Sequence, residues 1–193
     1  MIEAIEASLP ELRPFMPFAH ANHTVEQQYE RLVGVQRDFW GSGDKVFHAW
    51  EGARLIACFG LHLRTLNVAG FEIGFWVRSD VSRQGVGTHL TRCLLVLGFD
   101  HFDSERVQIL NNAGNEGSQR ITEKCGFTRE GTLRNFESAP SPEMVANGAT
   151  EDPNPYISSI LRSDLPRLAW LPETRASMEV LNWQGSPIDS ACN

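Results

Sequence analysis

Arg83-Gln84-Gly85-Val86-Gly87-Thr88 is the stretch that decides how this chain folds. Gly85 and Gly87 can adopt φ > 0 and let backbone N–H groups come close to an anion. A helix starting directly behind them adds its unsatisfied N–H groups and the positive end of its dipole. The turn therefore predicts a phosphate or pyrophosphate site between a strand and a helix, set against the plain alternative of two glycines making a tight turn. Two other phosphate motifs do not fit. A P-loop needs Gly-Lys followed by Ser or Thr, and no Lys follows here. A dinucleotide fingerprint needs a third glycine where Leu90 stands.

Working outward, Phe71 to Val77 reads as a strand of aromatic and β-branched residues entering the turn. Behind the turn, Leu90, Cys93, Leu94 and Leu97 recur at i, i+3, i+4, i+7, the spacing of a core-facing helix. Arg106 to Leu110 reads as a short strand, Asn115 to Lys124 as a helix capped at Gly126, and Phe127 to Leu133 as a strand. On the N-terminal side, Lys45 to Trp50 and Arg54 to His62 flank a hairpin turn at Glu51-Gly52-Ala53, while 63–70 has no clear period. Thr24-Val25-Glu26-Gln27 has the form of a capping box and opens a helix with Val25, Tyr29, Leu32 and Val33 along one side. A first helix carries Ile2, Ile5, Leu9 and Leu12, with a break signalled by Pro10. Ser138 to Pro155 reads as a long loop and Tyr156 to Leu161 as the last strand. The order predicts an α/β fold: a mixed central sheet with helices on both faces, its middle strand–helix–strand unit parallel and right-handed. Residues 1–165 are expected to form one domain, and 166–193 a tail packed on it or on a partner, with a disordered end.

Composition narrows the function. With a net charge of −7 and no run of Lys or Arg, the chain lacks the basic stripe that neutralises nucleic-acid phosphates. An acidic surface instead suits cationic acceptors such as amines. The four cysteines, Cys58, Cys93, Cys125 and Cys192, form no CxxC pair, so a reducing, cytoplasmic setting is the simplest expectation. No apolar run approaches the roughly 18 residues of a membrane span. His20 and His23 have no acid beside them and read as polar loop residues rather than metal ligands. His48 and His62 read as sheet histidines; Phe15, Phe18 and Trp40 are candidate walls of an acceptor pocket or plain core.

Four motifs in order resemble the GNAT acetyltransferase superfamily, and within it the RimJ/RimL-type branch: Glu72 to Val77, Gln84 to Gly87, Asn115 to Ser118, and Lys124-Cys125-Gly126-Phe127 running on to Glu130-Gly131. The resemblance implies acetyl-CoA as co-substrate and no metal. It implies a pyrophosphate held around Arg83, Gln84, Gly85, Val86, Gly87, Thr88 and His89. The pantetheine arm would pair with backbone near Val77, with Trp76 among the cofactor-binding residues, where the Phe71–Val77 strand splays from the Arg106–Leu110 strand. Asn115 would touch the arm and Ser118 would lie near the thioester sulfur. Two features depart from the family pattern. His89 stands where Gly or Ala is usual, and the chain opens with a helix where the family has a first strand. Either translation starts upstream or the sheet lacks that edge strand, which would favour pairing as a homodimer.

The implied reaction is attack of a primary amine on the thioester in a ternary complex. A carboxylate can accept the ammonium proton, and Glu72 and Glu137 are the two candidates; each is otherwise a surface or salt-bridged acid. Ser118 is the candidate acid toward the thiolate, or else an ordinary first-turn residue beneath the Asn115 cap. Backbone N–H groups around Phe75 to Val77 would stabilise the oxyanion. The expected acceptor is a protein N-terminal amine. A small-molecule acceptor (an antibiotic or polyamine) and a CoA-binding protein without transferase activity are the alternatives.

Overall fold

The computed structural model describes residues 1–21, 23–39, 43–64, 68–152, 154–181 and 184–187. Trp40, the turn at 41–42 and the end of the tail from 188 lie outside the described residues. Two short helices, α1 (Ile2–Glu6) and α2 (Leu9–Leu12), precede α3 (Val25–Phe39). The strands are β1 (Lys45–Glu51), β2 (Arg54–Leu63), β3 (Gly70–Val77), β4 (Arg106–Asn111), β5 (Thr128–Thr132) and β6 (Tyr156–Leu161). Helix α4 (Val86–Val96) joins β3 to β4 and runs on through a π turn, Leu97–His101; α5 (Glu116–Cys125) joins β4 to β5. Helix α6 (Pro142–Ala146) lies between β5 and β6, and α7 (Leu171–Ser177) follows β6.

The six strands form one mixed sheet in the order β1-β2-β3-β4-β6-β5. β3 and β4 are parallel, as the strand–helix–strand reading requires; the other neighbouring pairs are antiparallel. The last strand does not add to an edge. It inserts between β4 and β5.

Side chains alternate across the sheet, which makes two cores. On one face, Phe59, Leu61, Phe71, Ile73, Val107, Ile109 and Ile160 pack with Leu94 and Leu95 of α4 and with Leu171 of α7. On the other, Cys58 and Trp76 meet Ala4, Ile5 and Leu12 of α1 and α2. Arg78, at the end of β3, pins α1 there through Glu3 (Nη2–Oε1 2.6 Å) and holds Asp80 with Nε (3.0 Å).

Three details differ from the sequence reading. In α4 the deeply buried positions are Thr91, Leu94, Leu95 and Val96, while Leu90 and Leu97 are only partly buried, because the helix meets α5 and α7 as well as the sheet. The apolar stripe expected on α3 is not buried: Val25 and Tyr29 are 69% and 68% exposed, and the helix turns Gln28 inward instead. The loop expected over 138–155 contains α6, capped by the Ser141 hydroxyl accepting from Met144 N–H, with Pro142 at its first position. Among the described residues no helix is long and apolar enough to cross a membrane.

Candidate active site

The parallel β3–β4 ladder stops at Ile73↔Ile109, four residues before β3 ends at Val77. Which backbone groups this frees follows from the other edge of β3. Arg78 N–H donates to Ile56 C=O at 2.8 Å, continuing the antiparallel register with β2. Hydrogen-bonding direction alternates along a strand, so Trp76, Gly74 and Glu72 also face β2. Phe71, Ile73, Phe75 and Val77 therefore face β4; the first two meet it, and Phe75 and Val77 point their N–H and C=O into a gap.

The glycine turn stands at one end of the gap. Gly85 sits at φ +88° with open space around it, so backbone conformation alone requires glycine there. At Gly87 a Cβ would lie 2.7 Å from Ile121 Cδ1 of α5, so a larger residue would have to push that side-chain end aside. His89 N–H donates to Gly85 C=O (2.9 Å), so the free amides of α4 are those of Val86, Gly87 and Thr88. The exposed His89 ring lies toward Cys93 Sγ (3.6 Å), along the helix. Arg83 is exposed at φ +59°, and Gln84 Nε2 donates to Asp80 C=O (3.2 Å).

Helix α5 brings Ser118 to the gap. Asn115 Oδ1 caps the helix by accepting from Ser118 N–H (3.0 Å). Ser118 Oγ accepts from Asn111 Nδ2 at 2.7 Å, and Thr122 Oγ1 lies 3.0 Å from Asn111 Oδ1. Asn111, at the end of β4, is 2% exposed. This leaves the Ser118 proton free to point elsewhere. Neither Asn111 nor Thr122 was singled out from the sequence, and only their distances to Ser118 give them a part.

The two candidate carboxylates stand on the opposite face and differ. Glu72 is engaged: Arg64 Nη2 reaches its Oε1 at 2.7 Å and Gln108 Nε2 its Oε2 at 3.0 Å. Glu137, an exposed residue, is lifted above the ordinary carboxylate value, first by desolvation and then by the Glu72 charge. Further along the rung, Arg106 forks onto Glu130 (2.6 and 2.7 Å) and holds that carboxyl down to about 2, with Ser159 assisting.

A cavity of about 410 Å³ opens on this same face, behind Gly74, Phe75 and Trp76. Met16 and Phe18 give it an apolar wall, and His23, Gln28, Arg31 and His62 contribute polar groups. Of the aromatic residues nominated for an acceptor pocket, Phe18 lines it and Phe15 does not. His20 and His23 each meet a backbone carbonyl, those of Arg13 and Phe18, at 2.9 Å. Contrary to the sequence reading an acid does stand beside His20, Glu143 at 3.0 Å from Nδ1, while His23 Nδ1 lies 3.0 Å from Gln28 Nε2. Among the described residues no cluster of His, Cys, Asp or Glu is arranged to hold a metal. Burial drives the Cys125 thiol up to about 11, which leaves it protonated and unreactive.

The sequence model of the acetyltransferase (GNAT) domain family matches residues 3–128, well over half of the chain. YdaF of Bacillus subtilis strain 168, a protein provisionally named a ribosomal N-acetyltransferase, is 35% identical over 63 residues. That match spans 33% of this chain and only about a third (34%) of the relative's length. The uncharacterized N-acetyltransferase YoaA of the same strain is 28% identical over 133 residues, 69% of this chain and 67% of YoaA. Among solved structures, Mycobacterium smegmatis RimJ in complex with CoA-disulfide shares the fold with a TM-score of 0.75 at 17% identity, over 90% of this chain and 81% of that one.

Proposed function

Since this chain belongs to the GNAT acetyltransferase family, we propose that it is an N-acetyltransferase that moves the acetyl group of acetyl-CoA to a primary amine, with a protein N-terminus as acceptor. One observation carries the reading: β3 leaves β4 after Ile73, so that Phe75 and Val77 offer backbone groups to an extended ligand arm in the gap. The free amides of Val86, Gly87 and Thr88 suit the pyrophosphate at one end of that arm. Arg83 and Gln84 flank it, while His89 is turned along the helix and does not crowd it. Asn115 and Ser118 stand at the β4 side of the arm, and Trp76 closes the strand from the other face.

Transfer needs an amine freed of its ammonium proton, a stabilised oxyanion and a protonated leaving sulfur. Glu72 and Glu137 form an acidic rim that draws a cationic acceptor. Glu137, already lifted, is the better suited to take the ammonium proton. The N–H groups at Phe75 and Val77 serve the oxyanion, an effect of about 3 kcal/mol where such donors have been removed. Ser118, its oxygen held by Asn111, gives its proton to the thiolate. The peptide acceptor is supported by the apolar cavity behind Gly74 and by the ribosomal naming of YdaF.

The test is free-thiol release from acetyl-CoA with a panel of N-terminal peptides, polyamines and aminoglycosides. Saturable release with peptides alone is expected. Release only with polyamines or aminoglycosides would move the acceptor to the small-molecule class, and failure to bind acetyl-CoA would overturn the reading as a whole.

A further inference from the structure

His62 lies on the rung of the sheet that faces the cavity, and it is held there from both sides. Asp44 stands opposite it across β1 and β2, with Oδ2 2.6 Å from His62 Nδ1. The carboxylate is itself fixed, because Leu63 N–H donates to Asp44 Oδ1 at 2.9 Å. With Nδ1 donating to Asp44, the neutral ring presents Nε2 as an acceptor. Burial opposes ionisation of Asp44, but the bonds from His62 and Leu63 outweigh it and hold the carboxyl below its ordinary value. Asp44 therefore stays charged at neutral pH.

The ring extends from Asp44 over the backbone of β3. A Cβ on Gly74 would lie 2.8 Å from His62 Nε2, and one on Gly60 would lie 3.3 Å from it. Both glycines make room for this imidazole. Nε2 consequently sits against the residue preceding Phe75, whose backbone faces the gap, and it lines the cavity together with Phe75. Among the described residues it has no hydrogen-bond partner. The charged and titratable groups around it include Asp44, Glu72 opposite on β3 with Arg64 and Glu137 beside it, and the Met1 amino group, His23, Arg31 and Cys58 in the cavity wall.

We propose that His62 is a catalytic base of the transfer, with Asp44 as its positioning residue. The inference rests on the acetyltransferase reading above. As the neutral amine attacks, the N–C bond forms and the carbonyl electron pair moves to oxygen. The nitrogen, now carrying an extra proton, passes it to His62 Nε2. The oxygen pair re-forms the C=O as the C–S bond breaks with its electron pair on sulfur, which takes the Ser118 proton. Solvent returns the proton from His62 to Ser118, so one amide and one thiol are formed with no net change in either residue. Glu137 keeps the earlier task of taking the ammonium proton and releases it to solvent, the one proton the overall reaction yields, so the two groups act on different protons.

The experiment compares the full-length parent with His62→Gln and Asp44→Asn under saturating acetyl-CoA and one peptide acceptor, with thiol release followed from pH 5 to 9. The acceptor's own titration is then common to all three proteins. His62→Gln is expected to lower kcat roughly 100-fold and to remove the part of its rise with pH that exceeds the acceptor's own titration, leaving CoA affinity unchanged. Asp44→Asn is expected to lower kcat about tenfold and to move that rise to lower pH, since the imidazolium loses its carboxylate. If His62→Gln does not fold, the displaced pH profile of Asp44→Asn carries the test. Parent turnover is measured first, because its absence sinks the transferase reading. An active His62→Gln, within about threefold of the parent and with its pH profile intact, sinks only this inference.

Discussion

Gly74→Ala separates the role of His62 from the stability of the sheet. Gly74 has ordinary extended backbone, so alanine is tolerated there and should gain up to about 1 kcal/mol from the smaller entropy of the unfolded chain. Its Cβ would stand 2.8 Å from His62 Nε2 and 3.1 Å from Cδ2, so the imidazole must swing away. That breaks the Asp44–His62 bond, whose side chains are 46% and 30% exposed. A bond so open to solvent contributes no more than about 1 kcal/mol. The two changes nearly cancel, and the urea midpoint should move by the equivalent of less than about 1 kcal/mol. Activity should not be spared. With Nε2 displaced, kcat should fall about as far as in His62→Gln, roughly 100-fold. Equilibrium unfolding and steady-state thiol release on one preparation provide both numbers. A kcat within about threefold of the parent would refute the reasoning, and so would destabilisation beyond about 2 kcal/mol, because then β3 has no room for a methyl group.

Other consequences can be measured alongside. Ser118→Ala should cut kcat by about 100-fold with an unchanged dissociation constant for acetyl-CoA, read by calorimetry and thiol release. Gly126→Ala should lose more stability than Gly85→Ala in urea titrations. Both residues sit near φ +85°, a cost of about 1–2 kcal/mol, but only at Gly126 would a Cβ meet a core side chain, Leu168 Cδ2 at 2.8 Å. The Arg106–Glu130 pair contributes acid stability. The Glu130 carboxyl is held down to about 2, below its unfolded value, so its contribution is complete above roughly pH 4.5 and is lost as pH falls toward 2. Because Glu130 is 38% exposed, screening trims the effect to about 1 kcal/mol. Glu130→Gln should flatten the acid limb of stability against pH by that amount, and an unchanged limb would refute the assignment.

Much of the site was legible in the sequence because its parts are local. A glycine at positive φ followed by a helix start, an Asn capping the residue three positions on, and a glycine closing α5 each span about one turn of chain. Their geometry follows from sterics and from the orphan N–H and C=O groups of helix ends. The order of strands and helices, and the parallel β3–α4–β4 unit, were readable on the same footing. The exposed stripe of α3 was not: its periodicity was sound, but nothing in it reports that the cavity side would take Gln28.

What only the tertiary structure decided is where distant strands meet. The last strand inserts between β4 and β5, and β4 stops pairing with β3 after Ile109; both are choices of partner across long stretches of chain. The Asp44–His62 pair shows the same limit inside a hairpin. Counting back from the hairpin, where Glu51 meets Arg54, an unbroken register would set Asp44 opposite Leu61 and on the wrong face. The irregularity between Ala49 and Trp50 shifts the ladder by one residue and brings Asp44 opposite His62. The sequence determined the glycine turn and the helix caps because their energies are settled within a few residues. The splay and the inserted strand depend on pairing between strands that the sequence keeps apart, and the histidine over Gly74 on a one-residue irregularity inside a hairpin, which packing and not local sequence settles.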